Sequence, residues 1–336
     1  MSVKMLFVIG SPRSGTTMLE RMLSSHSMIQ GGPEPHLLTP LAHLGIWDKV
    51  DKAPYDHVLA AESQKLFVDQ LPNKEQDYWD ACRAYCDVLY GRYLESKGAK
   101  PICLDKTPAY ALVLPFIAKV FPDARYVVLT RHPLAAFSSF ANSFFDGDYQ
   151  VAQNYNPLLN RYVPALAAFL RQKDVPVIHV RYEDLVKDPE TWFAKICEYI
   201  GVPFEKEAID YGKSEEERPK GLGDPIGVKQ HSRPSTASVK KWVQELASDP
   251  AKLSLMRQVI SELAPEDLAL LGYPPEKLWK PLEEAGQVAA PVKPKLDRYR
   301  FKRKMIIRLR ARAQRGGAFR RLLEKGRLTC DVLLRE

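Results

Sequence analysis

The sequence predicts an α/β fold in which a parallel β-sheet is flanked by helices. Short apolar runs rich in β-branched residues occur at positions 4–9, 102–104, 126–129 and 177–180. Each run is followed by apolar residues at helical spacing, and strands that alternate with helices form parallel sheets with crossover connections. A chain of 336 residues, 45% of them hydrophobic, can bury the core that such a sheet requires.

The first predicted strand ends in a glycine-containing loop, Gly10-Ser-Pro-Arg-Ser-Gly-Thr-Thr17, and a helix is predicted to follow it. Backbone N–H groups at the start of such a helix bind anions, and the helix dipole reinforces them. The spacing of Gly10 and Gly15 matches the P-loop pattern GxxxxGK[ST], but Thr16 stands in place of the lysine. We therefore predict a P-loop-type sheet that binds an oxyanion, with Arg13 as a forked cationic contact.

The strand predicted at residues 126–129 runs into Thr130 and Arg131. A magnesium-dependent triphosphatase or kinase of this type needs a carboxylate at the end of a buried strand to hold the metal. Because a cation replaces the carboxylate here, the sequence favours a donor without a magnesium complex but with an additional phosphate group.

The chain is predicted to form a single catalytic domain, residues 1–279, followed by a linker and a tail. Apolar residues at helical spacing predict a helical insert at about residues 37–97, which we interpret as a lid or cleft wall. Residues 280–295 contain several prolines and predict a linker. Residues 296–336 then form the predicted basic tail.

Residues 291–336 contain 16 Lys and Arg against 4 Asp and Glu, which gives this segment a net charge of +12. The whole chain carries +8, so the rest of the chain carries −4 and is mildly acidic. Basic and apolar residues alternate between residues 299 and 321, which predicts a basic helix with one apolar side. Such a helix favours an anionic membrane surface as its partner. A nucleic-acid partner is disfavoured because no base-reading module accompanies the charge, and a solvated or oligomer-packing helix is the alternative.

The sequence also bears on the compartment. No apolar run approaches the roughly 20 residues that span a bilayer, and the first ten residues lack a signal-peptide core. The five cysteines are scattered without zinc-site spacing, which predicts a reducing compartment and no structural metal. We expect a cytoplasmic protein that can lie peripherally on the inner face of the membrane.

Two motifs resemble those of sulfotransferases that use 3′-phosphoadenosine 5′-phosphosulfate (PAPS). Pro12-Arg-Ser-Gly-Thr-Thr17 is similar to their phosphosulfate-binding loop. Tyr126-Val-Val-Leu-Thr-Arg131-His-Pro, with Ser139 eight residues after the arginine, is similar to their 3′-phosphate motif. With Asp105-Lys106-Thr-Pro108 before the second motif, the sequence most resembles the tyrosylprotein sulfotransferase branch and its bacterial relatives. The resemblance covers residues 5–247.

This resemblance implies an enzyme that transfers a sulfonate group from PAPS to an acceptor hydroxyl without requiring a metal. It leaves the acceptor open between peptide tyrosine, a sugar, a lipid and a secondary metabolite, and it leaves the oligomeric state open. It also implies that the nucleotide is bound by residues of both motifs, namely Arg13, Ser14, Gly15, Thr16, Thr17, Met18, Arg131 and Ser139.

Sulfonate transfer needs a base, in-line geometry and positive charge near the leaving phosphate. The histidine base of cytosolic sulfotransferases for small phenols would fall at Pro108, so another base is required. Glu34, 21 residues after Arg13, stands where the tyrosylprotein branch has its glutamate base. Lys106 matches the lysine that contacts the bridging oxygen in these enzymes. His36 occupies the place of an arginine near the donor or acceptor, which makes it a substrate-binding candidate and an alternative base.

Two other interpretations fit parts of the sequence. A P-loop small-molecule kinase would use the same loop with ATP, and it predicts magnesium-dependent ATP binding. A non-catalytic adaptor with a basic tail would carry the loop as a vestige. The joint presence of Arg13, Glu34, Lys106, Arg131 and Ser139 argues against the adaptor.

Overall fold

The computed structural model describes residues 3–32, 34–44, 57–213, 232–285 and 317–333, together with residues 305, 309 and 312. Within these residues the strands form a parallel sheet in the order β2-β3-β1-β4-β5. They are β1 (Met5–Ile9), β2 (Ile29–Gln30), β3 (Ile102–Asp105), β4 (Arg125–Thr130) and β5 (Val177–Arg181). The predicted parallel α/β sheet is confirmed. The two-residue strand β2 was not predicted, because two residues are too few to show a period.

Helices cover both faces of this sheet, and a 3-10 turn at Pro108–Leu112 follows β3. In chain order the helices of the domain are α1 (Thr16–Ser24), α2 (Leu38–Ala42), α3 (His57–Val68), α4 (Glu75–Ser96), α5 (Leu114–Val120), α6 (Pro133–Phe145), α7 (Tyr149–Tyr155), α8 (Leu158–Leu170), α9 (Tyr182–Lys187), α10 (Pro189–Ile200), α11 (Lys241–Ala247), α12 (Pro250–Ser261), α13 (Pro265–Leu270), α14 (Pro275–Leu278) and α15 (Lys280–Glu283).

Alternate residues of the strands point into two apolar cores, one on each face of the sheet. Leu6 and Val127 belong to the core that α1, α9 and α10 cover, whereas Phe7 and Tyr126 belong to the core under α4 to α8. The connections that leave the adjacent strands β1 and β4 therefore run to opposite faces. In open parallel sheets such a divergence opens a ligand-binding crevice at the carboxyl ends of the strands.

The predicted helical insert contains α2, α3 and α4. On α4, the side chains of Trp79, Cys82, Cys86 and Tyr90 are buried at one-turn spacing. The two cysteines therefore pack in the core, as the spacing of apolar residues predicted. The segment between residues 44 and 57 lies outside the described residues.

The segment predicted as a linker begins with helix α15, and Leu282 of that helix packs against the core. Residues 286–304 of the predicted linker and tail lie outside the described residues. Farther along the tail, Ala318–Leu333 forms helix α16. The limits of domain, linker and tail remain predictions. No helix in the described part of the chain is long and apolar enough to cross a bilayer.

Candidate active site

The loop between β1 and α1 has a backbone that cradles an anion. Arg13 and Gly15 both have positive φ, at 69° and 96°, which turns successive peptide groups towards one side. A Cβ at Gly15 would lie 2.5 Å from the ring of Tyr182, so no larger residue fits there. The hydroxyl of the buried Ser14 donates to Ser11 O at 2.8 Å and stabilises the turn. Helix α1 begins directly after the turn, at Thr16.

A cavity of about 460 Å³ lies over this loop, a volume within the range of sites for small molecules and nucleotides. Its wall is built from β1–α1, the ends of β3 and β4, α6, α9 and α11. The lining residues are Pro12, Arg13, Gly15, Thr16, Thr17, Met18, Arg21, Glu34, Pro108, Arg131, Ala135, Ser138, Ser139, Asn142, Ser143, Phe144, Tyr182, Tyr211, Arg233, Ser235, Ser238, Lys241 and Trp242.

The two predicted arginines, Arg13 and Arg131, both belong to this wall. Arg131 Nη1 donates to Arg13 O and Nη2 to Ser238 O, each at 3.0 Å, and its guanidinium lies 4.6 Å from the ring centroid of Tyr182. Arg13 Nε donates to Ser139 Oγ at 3.1 Å. Burial lowers the pKa of Arg131, and the nearby Arg13 acts in the same direction. The buried Nε of Arg131 has no hydrogen-bond partner within the described residues, so this site fits an anion that accepts from it.

Lys106 reaches the site from the end of β3. Its side chain is almost fully buried, and Nζ donates to Glu34 Oε1 and, at 3.3 Å, to Thr17 Oγ1. The lysine that the loop lacks at residue 16 is thus supplied by a neighbouring strand. Glu34 is 13% exposed and lines the cavity, so a carboxylate and an ammonium group meet at the first turn of α1.

His36 lies beside this pair but farther out. Its Nε2 is 3.6 Å from Glu34 Oε2, and its side chain is 47% exposed. His36 also has a positive φ of 52°, in the left-handed region that favours glycine. Because His36 is not part of the described cavity wall, its predicted contact with substrate stays a prediction.

Asp105, the residue before Lys106, is buried among hydroxyl groups. Its carboxylate accepts from Tyr90 Oη at 2.5 Å, Tyr110 Oη at 3.0 Å and Thr107 Oγ1 at 3.1 Å. Burial raises the pKa of Asp105 to about 6, although the three hydroxyls favour the ionised form. The carboxylate is therefore a fixed acceptor at the carboxyl end of β3, directly before the lysine.

Eight of the eleven predicted site residues line the cavity, and the other three lie next to it. Ser14 is buried beneath the loop, Lys106 reaches the cavity wall through Glu34 and Thr17, and His36 lies outside. The structure thus brings the predicted residues together, although their roles stay predictions.

Several cavity residues were missed by sequence reasoning. Ser138 and Asn142 share one face of α6 with the predicted Ser139, so extending the helical spacing would have found them. Tyr182 comes from a distant segment, and no local pattern marks it. No described residue between 37 and 97 lines the cavity, so the interpretation of the insert as a lid or cleft wall stays a prediction.

Comparison with known proteins assigns this arrangement to a family. The profile of a family described as Sulfotransferase family matches residues 6–206, more than half of the chain. The chain belongs to the sulfotransferase family. The matched segment of this sulfotransferase-family chain runs from β1 past α10, so it includes the anion-binding loop, Glu34, Lys106 and Arg131. The family resemblance of the two sequence motifs is thereby confirmed.

Individual relatives are distant. Nodulation protein NoeE of Sinorhizobium fredii is 27% identical over 294 residues, which cover 80% of this chain and 65% of that protein. The protein-tyrosine sulfotransferase of Drosophila melanogaster is 23% identical, with 81% of this chain and 52% of that protein covered. This sulfotransferase-family chain thus spans between half and two thirds of the length of these two relatives.

One solved structure shows that the fold is shared. The sulfotransferase domain from the curacin biosynthetic pathway is 22% identical, with a TM-score of 0.52, and the alignment covers 81% of this chain and 98% of that domain. The predicted P-loop-type fold is therefore confirmed.

Proposed function

We propose that the protein is a PAPS-dependent sulfotransferase that transfers a sulfonate group to an acceptor hydroxyl. The observation that carries this proposal is the meeting of Glu34, Lys106 and Thr17 at the first turn of α1, in a cavity that also contains Arg13 and Arg131. A base, a cation and an anion cradle are the groups that this chemistry needs.

The donor binds through its two phosphate-bearing ends. The 3′-phosphate accepts from Arg131, including its buried Nε, and from Arg13 and Ser139, which are already joined by a hydrogen bond. The 5′-phosphosulfate lies on the N–H groups at the start of α1. The loop residues Ser14, Gly15, Thr16, Thr17 and Met18 form that second site.

The transfer is an in-line displacement at sulfur. The acceptor oxygen forms the new S–O bond as the bond from sulfur to the bridging 5′-phosphate oxygen breaks, so adenosine 3′,5′-bisphosphate (PAP) leaves with the bonding electrons. Glu34 accepts the proton of the attacking hydroxyl, and the ammonium group of Lys106 stabilises the negative charge that develops on the bridging oxygen. No step requires a metal ion.

The acceptor approaches from the side of the cavity where Glu34 is accessible. His36 is half exposed and 3.6 Å from Glu34, so we propose that it contacts the acceptor rather than the nucleotide. The acceptor bears a hydroxyl group, as does the tyrosine in the name of one relative.

Nucleotide binding tests the proposal directly. We expect isothermal titration calorimetry to show that PAP binds equally well with and without EDTA, and at least roughly 100-fold more tightly than ATP with magnesium, because the two arginines need a 3′-phosphate to accept their donors. ATP–magnesium binding tighter than PAP binding would replace the proposal by a kinase function. Mass spectrometry of an extract incubated with PAPS then identifies the sulfonated acceptor.

For the basic tail we propose an anionic membrane as partner, which would bring the enzyme to a lipid-linked or membrane-delivered acceptor. On α16, Leu322 is 66% exposed and Leu323 is 48% exposed, with Arg320 and Arg321 next to them. Apolar side chains exposed beside cations suit the boundary between acidic head groups and acyl chains. An RNA partner would use the charge but leave the leucines in water.

Vesicle sedimentation with the full chain tests the tail. We expect binding to phosphatidylserine-containing vesicles and weak binding to pure phosphatidylcholine. Replacing both Leu322 and Leu323 with serine should weaken binding about tenfold or more, because burying each leucine contributes about 1.5–3 kcal/mol. If the double serine variant binds vesicles as well as the wild type does, the membrane proposal is contradicted. It is also contradicted if RNA displaces both proteins from the vesicles.

A further inference from the structure

Two tyrosine hydroxyls hold the backbone on either side of Glu34. Before it, Tyr93 Oη of α4 donates to Gly31 O at 2.8 Å. After it, the N–H of Leu38, the first residue of α2, donates to Tyr110 Oη at 3.2 Å. We call residues 31–38 the Glu34 loop. Its two ends are thus attached to different parts of the fold, the helical insert and the 3-10 turn that follows β3.

Asp105 fixes the hydroxyl of Tyr110. The Tyr110 hydroxyl donates its own proton to Asp105 Oδ2 at 3.0 Å, which leaves an oxygen lone pair for the N–H of Leu38. Both tyrosine and aspartate are almost fully buried. Asp105 is the last residue of β3 and directly precedes Lys106, so the residue that fixes Tyr110 and the side-chain partner of Glu34 are consecutive in the chain.

The Glu34 loop needs such support because its own backbone is strained. His36 has a φ of 52°, which costs free energy for any residue with a side chain. Lys106 also holds Glu34, but its ammonium group has to stabilise the leaving oxygen during transfer. The tyrosine hydroxyls hold the main chain of the loop, so their contacts do not change when the Lys106 ammonium group stabilises the leaving oxygen.

We infer that Tyr93 and Tyr110, the latter oriented by Asp105, are positioning residues that keep Glu34 in place for proton removal. This inference rests on the proposed function of Glu34. The hydroxyls act on the loop and not on the nucleotide site around Arg131, so removing them should affect turnover rather than donor binding. Displacing a reacting group by about 1 Å can lower a rate by roughly 10².

Phenylalanine variants test the inference because they remove only the hydroxyl. Tyr90→Phe is a matched control: Tyr90 is one turn from Tyr93 on α4, and its hydroxyl donates to the same Asp105 oxygen as that of Tyr110 but, within the described residues, not to the Glu34 loop. With radiolabelled PAPS and para-nitrophenol, a tyrosine peptide and a methyl glycoside as acceptors, we expect kcat of Tyr110→Phe to fall about tenfold or more. KM for PAPS should stay within about twofold in all variants, and kcat of Tyr90→Phe within about twofold of the wild type.

Hydrogen exchange supplies a readout that does not depend on catalysis. The amides of Glu34, His36, Leu37 and Leu38 should exchange faster in Tyr110→Phe and Tyr93→Phe than in Tyr90→Phe, because each of the first two releases one end of the Glu34 loop. Equal kcat or equal loop exchange in Tyr110→Phe and Tyr90→Phe would overturn the inference. A wild-type protein that binds no PAP contradicts the proposed function instead, whereas normal PAP binding and turnover with an unaffected Tyr110→Phe variant contradicts the positioning role alone.

Discussion

Replacing Glu34 with glutamine is expected to lower kcat by roughly 10²–10⁴, the range that general-base catalysis contributes, while PAP affinity stays within about threefold of the wild type. Glutamine has the size of glutamate and its oxygen can still accept from Lys106 Nζ, so the local packing is retained. It cannot accept the proton of the attacking hydroxyl. Initial rates with radiolabelled PAPS measure the loss, and calorimetry with PAP measures the binding.

Two companion variants make the Glu34 result specific. Glu62→Gln removes the same charge from an exposed position on α3 and should leave kcat unchanged. His36→Asn tests the alternative base, because the imidazole of His36 lies 3.6 Å from the Glu34 carboxylate. If His36→Asn loses more turnover than Glu34→Gln, the histidine is the base and the glutamate serves to position it.

The sheet could be predicted because its signals are local. The strand that ends before the anion-binding loop shows a run of apolar residues, and the spacing of Gly10 and Gly15 is visible without any tertiary information. The sequence Asp188-Pro189 and the later Gly201 likewise predict a helix between them, and α10 lies there with Asp188 as N-cap and the glycine in the left-handed conformation. Cap residues act within one turn, so their effect can be read from sequence.

The cavity wall could be predicted only where a motif marked it. Tyr182 lies more than 50 residues beyond Arg131, and its contact with Ser238 depends on how α9 packs. Glu183 joins distant segments in the same way, because its carboxylate accepts from His132 N and Tyr273 Oη. Such contacts join residues that no short-range pattern relates.

The contacts of Asp105 could not be predicted from the sequence. The sequence predicts that Asp105 orients the neighbouring Lys106 or caps the following helix. In the structure its carboxylate instead accepts from Thr107 and from tyrosines of α4 and the 3-10 turn. Burial of a carboxylate depends on what surrounds it, and a tyrosine 15 residues earlier in the chain carries no signal for that contact.

Replacing Arg131 with lysine is expected to weaken PAP binding by roughly 10–100-fold, because hydrogen bonds to charged groups contribute about 1.5–3 kcal/mol. Lysine keeps the positive charge but loses the planar fork that joins Arg13 O and Ser238 O, and it also loses the buried Nε donor. Adenosine 5′-phosphate lacks the 3′-phosphate, so its affinity should change less than about threefold. Calorimetry with both nucleotides measures the ratio.

The ratio of the two affinities separates recognition from scaffolding. If Arg131 only braces the loop, Arg131→Lys must weaken PAP and adenosine 5′-phosphate equally, since both need the cradle at α1. Ser139→Ala provides the complementary case, because it removes a hydroxyl beside Arg13 and leaves both main-chain contacts of Arg131 in place. This variant should also weaken PAP binding more than it weakens adenosine 5′-phosphate binding. Arg125→Lys, at the exposed start of the same strand, should leave both affinities unchanged. Only a direct contact between Arg131 and the 3′-phosphate makes the loss selective for PAP.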